Sequence, residues 1–84
     1  MPTPEIIERV RQLRVQLAET QPAAPEAEHI ASQIDSLLVD PAHPPRYEGL
    51  RDRLRSASAS IESRHPQLAA SMNAVINALN AAGV

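Results

Sequence analysis

The feature that most constrains this chain is an apolar stripe in its second half with a proline set into it. Tyr47, Leu50, Leu54, Ala57 and Ile61 recur at spacings of three and four, and beyond Pro66 the same phase resumes in Leu68, Met72, Val75, Ile76 and Leu79. That period belongs to an α-helix with one buried face. Pro66 removes one backbone hydrogen bond, and its ring crowds the carbonyl of Glu62, so the helix must kink or break at His65-Pro66. No Gly, Asn or Asp flanks that proline to make a turn. From Ile61 to Leu68 is seven residues, which returns the stripe to within about 20° of its starting direction. The phase therefore favours one long C-terminal helix, about 45–82, kinked or run nearly in line, over a chain reversal.

The first half predicts a helical hairpin. Thr3-Pro4-Glu5 is a helix start, with a capping residue, a proline at the first position and acids at the positive end of the dipole. Ile6, Val10, Leu13 and Leu17 follow as a stripe, and Gln21-Pro22 ends the helix because a residue before proline avoids the helical region. Pro25, Glu26 and Glu28 open a second helix with the stripe Ala27, Ile30, Ile34, Leu37 and Leu38, ended by Asp40-Pro41. The connection is about four residues, which makes helices at about 4–20 and 25–39 antiparallel neighbours. The Asp-Pro-Ala-His-Pro-Pro run at 40–45 is a turn, too short to link two domains. Gly83 followed by Val84 has the pattern of a Schellman stop, so the chain is expected to end on a helix cap. The expected architecture is all-α: one helical domain, 1–84, made of a hairpin and a long, interrupted C-terminal helix.

Composition enters through the core. The chain has 84 residues, 14 of them Ala, with Tyr47 as its one aromatic residue and no Cys. So small a chain buries a modest fraction of its surface, and without disulfides it commonly gains stability by oligomerising. A 37-residue helix would be about 55 Å long, and a hairpin of ~25 Å helices covers half of it. The other half would expose an apolar patch that soluble monomers avoid. A homodimer is therefore expected, with Ile61, His65, Leu68, Met72, Val75, Ile76 and Leu79 at the interface and His65-Pro66 as the hinge. A reversal at the hinge would instead allow a monomeric four-helix bundle.

Few residues carry chemistry. Glu26/His29 and Glu62/His65 are Glu-x-x-His pairs, the spacing used by di-metal carboxylate bundles. However, His29 points more than about 100° from its stripe at ~100° per residue, and the first helix supplies no clear inward Glu. His65 lies on the apolar stripe, where it either answers a polar group freed by the kink or serves, with Glu62, a ligand or metal site. His43 sits in the proline turn and is expected to be solvated. Arg51, Arg53 and Arg55 spread around a helix with Glu48 and Asp52 interleaved, which describes a solvated face better than a phosphate track. The net charge of −2 gives no bulk attraction to nucleic acid. No apolar run reaches ~20 residues, so no membrane span is expected. The N-terminal residues lack a basic segment followed by an apolar one, which predicts no signal peptide and a cytoplasmic location. There is no nucleophile elbow and no phosphate loop. The residues thus predict no enzyme, no cofactor and no resident metal.

One resemblance adds to this. The segment Ile61-Glu-Ser-Arg-His-Pro-Gln-Leu-Ala, then Asn73, Val75-Ile76, Leu79 and Gly83-Val84, resembles the C-terminal signature of the domain-of-unknown-function 4404 family. The likeness lies in its acid-x-x-His-Pro-x-Leu element and its terminal Gly plus Ile or Val. The family carries Phe where Ile61 stands, so this chain lacks that aromatic anchor. The resemblance implies a small helical bacterial protein and no activity. The expected function is a non-catalytic, self-associating module that engages another protein, with a ligand- or metal-binding bundle using Glu62 and His65 as the alternative.

Overall fold

A computed structural model describes residues 4–21, 25–40 and 44–83, and they form four helices: α1 Pro4–Thr20, α2 Pro25–Val39, α3 Pro44–Ile61 and α4 Pro66–Ala81. Each helix opens on a proline, whose fixed φ suits the first turn and whose missing N–H would be unpaired there anyway. His43, Thr3 and Val84, and with them the expected N-cap of α1, lie outside the described residues.

Helix α1 ends where Gln21 turns to φ 46°, its N–H donating to the Leu17 carbonyl at 3.0 Å. This is a left-handed stop built without glycine. Across the α1–α2 hairpin, Arg14 donates to Asp35 through both Nε (2.8 Å) and Nη2 (3.4 Å). Arg46 of α3 donates to the Ser36 carbonyl at 2.8 Å, tying the start of α3 to the end of α2. At the far end, Gly83 takes φ 84° and donates to the Asn80 carbonyl at 3.1 Å, one of the two bonds of the expected Schellman stop.

The principal correction concerns the junction of α3 and α4. The helix is broken at His65-Pro66, and the two halves do not run in line: α4 turns back and packs on both α3 and α1. Four residues, 62–65, suffice for the reversal. The Glu62 and His65 amides still donate to the Ser58 and Ile61 carbonyls at 3.0 and 2.8 Å, and Arg64 N–H shares the Ile61 carbonyl. The direction changes at His65, with φ −136° and ψ 70°, outside the helical region as a residue before proline prefers. Phase continuity did not require an in-line rod, because each half keeps its apolar face after a reversal.

Every helix therefore has two neighbours, in the cyclic order α1, α2, α3, α4. The Cα radius of gyration is 11.5 Å, against about 12 Å expected for a compact domain of this length. All four stripes meet in one core: Ile6, Val10, Leu13 and Leu17; Ala27, Ile30, Ile34 and Leu37; Tyr47, Leu50, Leu54, Ala57 and Ile61; and Leu68, Ala69, Met72, Val75, Ile76 and Leu79. Helix α4 buries the broadest stripe, with Ala69 beside the larger side chains.

Candidate interaction surface

The residues expected at a dimer interface lie inside the single chain. Ile61, Leu68, Met72, Val75, Ile76 and Leu79 are buried among the chain's own helices, and His65 is half-buried at the connection. The premise for a dimer, a stripe left uncovered along a 55 Å rod, does not hold in this geometry: the reversal covers it. His65 and Pro66 do mark the break between helices, where the sequence places the hinge.

The chemistry-bearing candidates stay apart. His29 and Glu26 are both exposed on α2, turned away from the core as the phase predicts. Glu62 is exposed and His65 half-buried, both in the connection between α3 and α4. Among the described residues no group of three or more His, Cys, Asp or Glu could hold a metal ion. The grooves between helices mix charge with apolar lining. One of about 270 Å³ between α1 and α2 is lined by Arg14, Leu17, Ala27, Glu28 and Ala31. The hydrogen bond to Asp35 raises the Arg14 guanidinium pKa above its ordinary value, with desolvation opposing it. This keeps an ion pair formed and creates no reactive group. Between α2 and α3, Gln33 Oε1 is a buried acceptor without a partner among the described residues.

What sequence reading passed over is the outward side of α4. From Pro66 to Ala81 there is not one charged residue, whereas α1, α2 and α3 each carry several. The face of α4 away from the core presents Gln67, Ala70, Asn73, Asn77, Asn80 and Ala81, all exposed. At its flank, the Ser71 hydroxyl donates to Gln16 Oε1 on α1, which holds α4 to its neighbour. In the sequence the signal is a charge gap over 66–81. Elsewhere the exposed large hydrophobic residues, Val15 and Val39, stand singly on α1 and α2.

Fold and surface together define a small all-α bundle whose distinguishing feature is one uncharged helix face. The family model of a domain of unknown function, DUF4404, matches residues 6–84, and the chain belongs to that family. No curated protein and no solved structure matches it. No helix of the described residues is long and apolar enough to cross a membrane.

Proposed function

We propose that the chain is a non-catalytic helical protein-interaction module whose contact surface is the outward face of α4. One observation carries this reading: a 16-residue surface helix without a charge, in a chain where 21% of residues are charged. Cores of protein interfaces are depleted in charged residues, because a charge removed from water must find a partner. Asn and Gln side chains both donate and accept, so such a face meets varied partners, including its own copy, without repulsion. Its size limits its strength. A face about 24 Å long and one helix wide offers roughly 250 Å², well below the ~800 Å² per partner of a stable complex. Partners must reach the flanking helices or bind weakly. Self-association stays within this reading in a different form, by exchange of α4. A disulfide-free domain of this size fits a reducing compartment, which supports a cytoplasmic location.

The test is Asn73→Glu with Asn77→Glu. Both positions are exposed, so thermal stability is expected to stay within about 0.5 kcal/mol of wild type. Proteins that co-purify with the tagged chain from its own cells are expected to be lost from the double variant. Retention of the same partners by the double variant would remove α4 as the contact face.

A further inference from the structure

The apolar stripe keeps one phase from Ile61 to Leu68, yet the monomer has no use for that agreement, since a reversal reorients α4 independently. A straight rod would need it. Part of the helical bonding already crosses the junction: Glu62 donates to Ser58, His65 to Ile61 and Ala69 to the His65 carbonyl, each four residues back and each at 3.0 Å or less, while Arg64 donates three residues back to Ile61. Residues 62–64 form a turn, and His65, at φ −136° and ψ 70°, lies outside the helical region.

We infer that the chain has a second, dimeric form in which His65 takes helical dihedrals and α4 is exchanged with a second copy. Residues 44–81, 38 in all, then form one rod of about 57 Å. Two such rods lie antiparallel about a two-fold axis near Pro66, and each α4 packs between α1 and α3 of the other chain. Leu68, Met72, Val75, Ile76 and Leu79 meet the same neighbours as in the monomer, now across chains. The bond from Ser71 to Gln16 becomes intermolecular. The in-phase stripe is what lets both halves of one rod face the same partner. Exchange of an identical element needs no new interface, which makes it an accessible route to a dimer. Pro66 opposes it by holding His65 out of the helical region and crowding the Glu62 carbonyl, so the monomer prevails in dilute solution. The inference rests on the interaction-module reading only in making a protein the partner. It uses the buried side of α4, so hinge variants test it while charges at Asn73 and Asn77 test the outward face.

Pro66→Ala restores an N–H and frees His65 for the helix, and it is expected to raise the dimer association constant about tenfold or more in sedimentation equilibrium. Inserting Asn-Gly between Arg64 and His65 turns the phase by about 200° and is expected to return the variant to monomer. With Gln16→Cys and Ser71→Cys in this cysteine-free chain, a short bismaleimide is expected to link two chains in the dimer fraction. A helical, monomeric Pro66→Ala variant, or a dimer whose cross-links stay within one chain, would overturn the inference. Should Pro66→Ala not fold, the cysteine pair in the wild-type background, refolded at high concentration, decides: interchain links support exchange and their absence overturns it.

Discussion

Gln21 holds a conformation that suits glycine. Its φ of 46° costs a side-chain-bearing residue about 1–2 kcal/mol, and glycine's extra freedom in the unfolded chain returns about 0.5–1 of that. Gln21→Gly is therefore expected to stabilise by about 0.5 kcal/mol, a rise of about 2–4 °C in a thermal melt. An unchanged or lower midpoint would mean the left-handed stop carries no such cost. Tyr47 offers a second test at this scale. Burial first, and then the negative charge of Asp40, raises its pKa above the ordinary 10.0. The folded state thus holds the phenolic proton more tightly than the unfolded state, so stability present below pH 10 is lost as pH rises above it. As Tyr47 is the only aromatic residue, near-ultraviolet absorbance of tyrosinate reads it directly. Ionisation is expected to accompany unfolding, and Tyr47→Phe to flatten the alkaline fall in melting temperature. Single residues such as Ile30, Leu54 and Leu13 were legible as core because periodicity reports burial directly. The Arg14–Asp35 pair was not, since it depends on how two helices are rotated against each other, which neither helix encodes alone.

At the scale of elements, α4 is the piece on which the others depend. It packs on α1 and α3 with six buried side chains, and Met72 at its centre is fully covered. Met72→Ala is expected to cost about 2–5 kcal/mol in denaturant unfolding, with Asn73→Ala one position away within about 0.5 kcal/mol. Equal effects would contradict the assigned rotation of α4. The first two helices were readable to within a residue or so from prolines and stripes: 4–20 and 25–39 were expected and Pro4–Thr20 and Pro25–Val39 found, while the long interrupted element expected at about 45–82 is two helices, Pro44–Ile61 and Pro66–Ala81. The relation of α3 to α4 was not readable. A stripe states which side of a helix is buried but not what buries it, and His65-Pro66 makes a reversal without any residue that usually announces one. The charge-free face of α4 was in plain view in the sequence, yet it gains meaning only once the opposite face is known to be covered.

For the whole molecule, the account turns on one chain covering its own core. The expected need for a partner came from length: a rod of 55 Å cannot be sheathed by helices of 25 Å. Folding the rod in half removes that need. A domain of 84 residues has a total stability of only about 4–13 kcal/mol, so the covering of α4 by α1 and α3 decides whether it folds alone. Small-angle X-ray scattering of the unmodified protein in dilute solution measures this most directly. The account predicts the mass of one 9.1 kDa chain and a radius of gyration close to the 11.5 Å of the Cα trace, enlarged slightly by hydration. Twice that mass, in a particle longer than about 55 Å at the lowest concentrations, would contradict it.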